Sequence, residues 1–159
     1  MPNWRELVIN AARNEPDYRL IFNPPASTDI LFAAQKHLRI TFPEDLQNFL
    51  LTFNGVGETI ASEPTDFIIF PIVYSLDRLI DENISFRQNI DTQHPHNFGR
   101  AEHLLLFSDI LTGDYIAYGM TNDGIPDGTI VFYDHEVVET RQIATTLEEF
   151  FAVWASRKI

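Results

Sequence analysis

The chain has 159 residues, 45% of them hydrophobic and 13% aromatic, which predicts a single folded domain over residues 1–159. It contains no cysteine, which excludes disulfides, thiol nucleophiles, thiolate zinc sites and iron–sulfur clusters. With 23 acidic and 11 basic side chains, its formal charge of −12 argues against direct nucleic-acid binding and suits a basic protein partner.

The apolar segments of the sequence do not suggest export or membrane insertion. Residues 1–6 lack the basic start and apolar core of a secretion signal. The longest apolar run, residues 67–74, is far shorter than the ~20 residues that span a bilayer. We therefore expect a cytoplasmic protein without a membrane partner.

Three amphipathic helices are predicted first. The first has one apolar stripe at the i, i+3, i+4, i+7 spacing: Trp4, Leu7, Val8 and Ala11. A second is predicted over residues 29–38, behind capping residues Ser27 and Thr28. A third has Pro43 in its first turn and ends at Gly55, which would take the left-handed position after the helix. Its stripe is predicted to enter the core: Leu46, Phe49, Leu50 and Phe53.

The middle of the chain is less regular. Residues 58–66 are polar and are predicted to form a loop. Residues 67–74 predict a buried strand, which Pro71 places at a sheet edge or a bulge. Ser75 is predicted to cap a short helix, and the polar residues 89–100 predict a mobile excursion.

The last third predicts strands and a closing helix. The strands are expected at residues 103–107, 114–119, 129–133 and 137–143. Thr145 and Glu148 have the spacing of a capping box for the helix that follows. That helix has a second predicted core stripe: Leu147, Phe150, Phe151 and Trp154. Helices first, then strands, then a helix predict an α+β fold rather than a parallel α/β fold.

Catalytic patterns are weak. His94 and His96, with Asp91 or His103 as a third ligand, could support a metal-assisted hydrolase, but such loose spacing is typical of a solvated loop. No nucleophile elbow, Walker motif or dinucleotide fingerprint is present. We therefore expect a non-enzyme with no catalytic residues, bound metal or cofactor.

Two further carboxylate patterns have ordinary interpretations. Asp109 and Asp114, at the two ends of a predicted turn, are expected to be solvated rather than an acid/base pair. His135 lies between two carboxylates in sequence. Adjacent strand residues point to opposite faces, so His135 is not expected to share a side with either neighbour.

The segment between Arg100 and Arg141 contains no Lys or Arg but eight acidic residues. It is either a solvated acidic surface or a docking surface for a basic partner, where charge would raise the association rate. Tight docking would also need desolvated aromatic anchors beside the acids. The candidate partner-binding residues are Asp109, Asp114, Tyr115, Tyr118, Asp123, Asp127, Tyr133, Asp134 and Glu136.

Four motifs, in this order, resemble those of the SMI1/KNR4 (SUKH) family. Residues 42–46 with Phe49, Leu50 and Asn54-Gly55 are similar to the hallmark helix of the family. Residues 104–109 with 113–118 are similar to its central strand pair, and residues 130–136 to its next strand. Residues 143–144 with 147–151 are similar to its closing strand and helix.

The resemblance implies a curved, mainly antiparallel sheet flanked by N-terminal helices and a C-terminal helix, without catalytic residues. Bacterial members look like immunity proteins that neutralise a cognate toxin, often a nuclease, and nucleases are commonly basic. Fungal members are linked to regulation of cell-wall glucan synthesis as adaptors. We therefore rank an immunity protein first, a regulatory adaptor second and a metal-assisted hydrolase third.

Overall fold

The computed structural model describes residues 1–93, 103–157 and 159. Within these ranges the chain forms, in order, α1 (Trp4–Ala11), β1 (Tyr18–Phe22), α2 (Thr28–Leu38), α3 (Glu44–Thr52), β2 (Val56–Ile60), β3 (Phe70–Val73), α4 (Leu76–Gln93), β4 (Leu104–Asp109), β5 (Tyr115–Met120), β6 (Pro126–Asp134), β7 (Glu139–Ala144) and α5 (Leu147–Ala155).

The described strands form two antiparallel sheets, with strand orders β1-β2-β3 and β4-β5-β6-β7. The predicted α+β class is therefore confirmed, but the strands divide between two sheets where the family resemblance implied one. The sheets meet where the Tyr74 N–H donates to the Phe107 carbonyl at 2.8 Å. β3 is an edge strand, as Pro71 predicts, because proline has no N–H to donate to a further strand.

α3 differs from the prediction at both ends. Pro43 is the N-cap rather than a residue of the first turn, and the helix begins at Glu44. It ends at Thr52, and the next residue is already extended. Gly55 has a left-handed φ of 93° but lies beyond the helix end, so it is not the predicted cap. It instead lets the chain turn into β2 where any Cβ atom would lie 2.5 Å from the Ser75 nitrogen.

α4 has 18 residues, so the prediction of a short helix is wrong, and the predicted excursion is helical as far as Gln93. Residues 94–100 of that excursion lie outside the described part of the chain. Buried Asn83 fixes α4 against β4: its side-chain amide donates to the Leu106 carbonyl at 2.8 Å and accepts from the Leu106 N–H at 2.9 Å. A buried polar residue with both partners satisfied orients the helix as well as stabilising it.

Two strands, β1 and β2, are not predicted from the sequence. β2 overlaps the predicted polar loop. The charged residue Glu58 favoured a loop in the sequence, but its side chain is buried within β2. The Arg13 side chain lies 3.1 Å from the Glu58 carboxylate, and the Arg13 backbone N–H donates to it at 2.8 Å. A buried carboxylate that is paired in this way can lie within a sheet, although its sequence indicates a polar loop.

The closing helix is confirmed, but its cap lies one residue later than predicted. The Thr146 hydroxyl, rather than Thr145, accepts from the Glu149 N–H at 3.1 Å. The Glu149 carboxylate accepts from the Thr145 N–H at 2.8 Å. These hydrogen bonds, from the Thr145 hydroxyl first and its backbone second, lower the pKa of Glu149.

The core lies between the helices and both sheets and is rich in aromatic rings. Six of the eight predicted core residues are fully buried, and the other two, Phe53 and Trp154, are half-buried against it. The Phe49 ring lies 5.6 Å from that of Trp4 and 5.8 Å from that of Phe151, so α1, α3 and α5 share one cluster.

Candidate protein-binding surface

The structure separates the nine predicted binding residues into two groups. Asp109, Tyr118 and Tyr133 are buried, at 7%, 3% and 5% exposure, and Tyr115 is half-buried. The other five lie in or next to the turns between strands of the second sheet: Asp123, Asp127 and Glu136 are exposed, and Asp114 and Asp134 are half-buried. A rigid partner can therefore contact the second group but not the buried side chains of the first.

Asp109 is buried because its partners come from another part of the fold. Its carboxylate accepts from the Tyr74 hydroxyl at 2.7 Å and lies 2.9 Å from the Arg78 guanidinium. It also accepts from the Leu111 N–H at 3.0 Å. Burial, followed by the hydrogen bond to Asp109, raises the pKa of Tyr74 far above its ordinary value. The expectation of a solvated turn carboxylate at Asp109 is wrong, and the residue stabilises the junction of the sheets.

Tyr118 joins the second sheet to α3. Its hydroxyl donates to the Asp45 carboxylate at 3.1 Å, and the Leu147 N–H at the start of α5 donates to the same carboxylate at 2.7 Å. Burial, and then the Asp45 charge, raise the pKa of Tyr118 well above its ordinary value, so the phenol stays protonated as a donor. These contacts assign Tyr118 a role inside the fold.

The other two tyrosines pack beneath α4. The Phe86 ring meets those of Tyr115 and Tyr133 edge to face, at 5.5 Å and 5.1 Å between centroids. Burial is the largest cause of the raised pKa of both tyrosines. Of the predicted aromatic anchors, only Tyr115 keeps a partly accessible surface.

Asp114 and His135 form a close pair across two turns. The His135 backbone N–H donates to the Asp114 carboxylate at 2.9 Å, and the His135 ring Nδ1 lies 2.7 Å from it. Partial burial raises the pKa of Asp114, but the hydrogen bonds from His135 and Thr112 outweigh it and lower the pKa overall. The side-chain hydrogen bond with Asp114 raises the pKa of the exposed His135.

Asp134 lies beside this pair, so the expectation that His135 shares no side with its neighbours is wrong at Asp134. β6 ends at Asp134, and the chain turns there instead of alternating. A group of three possible ligand atoms lies within 4.8 Å of one another, one each from Asp114, Asp134 and His135. Among the described residues, these three could share a cation. Asp134 already accepts from the Glu136 and Val137 N–H groups at 2.9 and 3.3 Å, which explains the cluster as turn geometry.

These five acids lie at opposite ends of the second sheet. Asp114 and Glu136 are in the β4–β5 and β6–β7 turns, and Asp134 ends β6 beside them, whereas Asp123 is in the β5–β6 turn and Asp127 is the second residue of β6. In an antiparallel sheet these turns face opposite ways. Asp127 and Asp134 are about 23 Å apart along β6 at the usual rise per residue. The structure therefore forms two small acidic ends rather than one acidic ring.

Several sequence candidates have no described side chain. His94 and His96 lie outside the described residues, and Asp91 is described only as part of the α4 backbone. His103 is not part of the Asp114 cluster.

No helix in the described ranges combines the length and the apolar character that crossing a membrane requires.

Comparison with known proteins identifies the family. A model of the SMI1/KNR4 family (SUKH-1) matches residues 25–153, from the loop before α2 into α5. No curated protein matches the chain at a significant level. The matched region includes both sheets except β1, together with α2 to α4 and most of α5. The chain therefore belongs to the SMI1/KNR4 (SUKH-1) family, whose domains typically bind protein partners.

Proposed function

We propose that this domain is a cytoplasmic, non-enzymatic immunity protein that binds a basic, nuclease-type toxin domain and blocks it by covering its surface. Membership of a protein-binding family supports the general role. The observation that carries the choice of partner is the charge: −12 overall, with no Lys or Arg between Arg100 and Arg141. A nuclease needs a basic surface to hold nucleic acid, and an acidic protein is complementary to that surface.

The exposed acids at the two ends of the second sheet are available to attract such a partner. Among the described residues, Asp123, Asp127, Glu136 and Glu139 are exposed and lie beyond ion-pair distance of any Lys or Arg. Uncompensated charges of one sign create a field that steers an oppositely charged protein toward the surface. We assign these turn acids to the encounter with the toxin rather than to the desolvated centre of the complex.

Neutralising the turn acids should slow association with the cognate toxin domain. In the variant Asp123→Asn, Asp127→Asn, Glu136→Gln and Glu139→Gln, we expect the association rate at low salt to fall about tenfold. The dependence of that rate on ionic strength should also become shallower, because salt screens exposed charges over ~8–10 Å. Stopped-flow or surface-based kinetics across a salt series measures both effects.

A matched control removes the same kind of charge elsewhere. Glu15 and Asp17 are exposed acids outside the second sheet, and Glu15→Gln with Asp17→Asn should leave the association rate close to that of the unmodified protein. An unchanged rate and salt slope in the fourfold variant would contradict the assignment of the turns. If the toxin domain does not bind at all, the regulatory adaptor becomes the better proposal.

A further inference from the structure

A second acidic surface lies away from these turns, between β3 and the start of α4. A groove of about 440 Å³ opens there, which we call the β3–α4 groove. Its apolar lining comes from Phe67, Ile68, Pro71, Val73 and Tyr74. Its charged lining is one cation, Arg78, and four carboxylates: Asp66, Asp77, Asp81 and Glu82. No motif singles out this place, because its residues come from a loop, a strand and a helix that no sequence pattern connects.

Phe67 is the feature of the groove that folding alone does not explain. Its side chain is 72% exposed, and the next most exposed of the described aromatic side chains is Phe32 at 62%. It extends from the loop between β2 and β3 beside the apolar lining of the groove. Exposed aromatic side chains next to an apolar depression are typical anchors of protein interfaces.

The charge around the groove is only partly compensated. Asp66 lies 2.7 Å from the Arg19 guanidinium, and Glu82 lies 3.5 Å from that of Arg78, whose other partner is Asp109. Asp77 and Asp81 are exposed and have no described ion-pair partner.

Asp77 and Asp81 are also one helical turn apart on α4. Like charges at this spacing destabilise a helix by repulsion. Asp77 in the first turn is favoured by the helix dipole, but Asp81 lies beyond that turn and gains much less from it. A positive group from a partner, placed between the two carboxylates, would relieve the repulsion.

We infer that the β3–α4 groove is the docking site for a basic segment of the toxin, with an apolar side chain of that segment packed on Phe67 and an Arg or Lys between Asp77 and Asp81. The inference deepens the proposed function and rests on its basic partner. In this arrangement the turn acids guide the encounter, and the groove supplies the aromatic anchor and apolar contact that a tight complex needs.

An NMR titration of the full chain tests the groove without requiring the natural toxin. The probe is a short synthetic peptide that alternates arginine with leucine, and its control has citrulline, an uncharged analogue, in place of each arginine. We expect the backbone amides of residues 66–82 to shift with the arginine peptide and to stay in place with the citrulline peptide. The Asp77→Asn, Asp81→Asn variant should raise the Kd for the arginine peptide roughly fivefold.

Two protein variants complete the design. Phe67→Ala should also raise the Kd and, since the side chain is exposed, should leave thermal unfolding almost unchanged. Glu15→Gln with Asp17→Asn should leave the Kd unchanged. Shifts confined to the two ends of the second sheet, at Asp123, Asp127, Glu136 and Glu139, would overturn the groove and leave the basic-partner proposal standing. Equal shifts with both peptides would overturn the groove because its recognition would not depend on charge. The absence of shifts with either peptide would overturn it because the groove would not bind a basic segment.

Discussion

Replacing Phe150 with alanine is expected to lower the free energy of unfolding by about 3–5 kcal/mol. The Phe150 ring is fully buried, and its centroid lies 5.1 Å from that of Phe107, 5.5 Å from Phe151 and 5.4 Å from Trp154. The truncation removes apolar surface from the core and leaves a cavity between α5 and the second sheet. Urea unfolding followed by circular dichroism measures the loss.

Phe32 provides a matched control for the same chemical change. It is 62% exposed on α2, so Phe32→Ala should change the unfolding free energy by about 0.5 kcal/mol or less. Similar losses in the two variants would contradict the position of Phe150 at the centre of the core.

Replacing Asp109 with alanine is expected to cost about 3 kcal/mol of stability. The change leaves the buried Tyr74 hydroxyl without its acceptor and the Arg78 guanidinium without one of its two carboxylates. Arg78 is about one-third exposed, at 34%, so water recovers part of the ion-pair loss and the hydroxyl carries most of the cost. The same urea experiment measures the change.

Asp109→Asn separates the two contributions. Asparagine keeps one oxygen that can accept from the Tyr74 hydroxyl, whereas its NH2 group replaces the oxygen that accepts from the Leu111 N–H, so its loss of stability should be smaller than that of alanine. Alanine at Asp109 with unchanged stability would show that the carboxylate does not hold the junction between β3, α4 and β4.

Elements with strong apolar periodicity were predictable from the sequence. α1, α3 and α5 each show a stripe at helical spacing, and the apolar runs of β4, β5 and β6 are separated by turn residues. β2 was missed because buried Glu58 depends on Arg13, which lies 45 residues earlier in the chain. No local pattern contains that pairing. α4 was predicted too short because its second half is polar in composition.

The candidate binding site was predictable in charge but not in placement. Counting residues shows that the segment after Arg100 is acidic, yet the burial of Asp109 depends on Arg78 and that of Tyr118 on Asp45. These partners belong to other elements and have no sequence signal that connects them. The division of the acids between two ends of the sheet follows from hairpin topology and could have been predicted from the strand order. The groove beside Phe67 could not, because it depends on how a loop packs against α4.

Neutralisation of the toxin is the direct test of whether this protein binds and blocks a basic toxin. The measurement is the nucleic-acid cleavage rate of the cognate toxin domain, as this protein is added in increasing amounts. We expect cleavage to fall to background near an equimolar ratio at low salt. The variant Asp77→Asn with Asp81→Asn should require a larger excess, whereas Glu15→Gln with Asp17→Asn should not. A cleavage rate that stays unchanged at a large molar excess of the protein would contradict the proposed function.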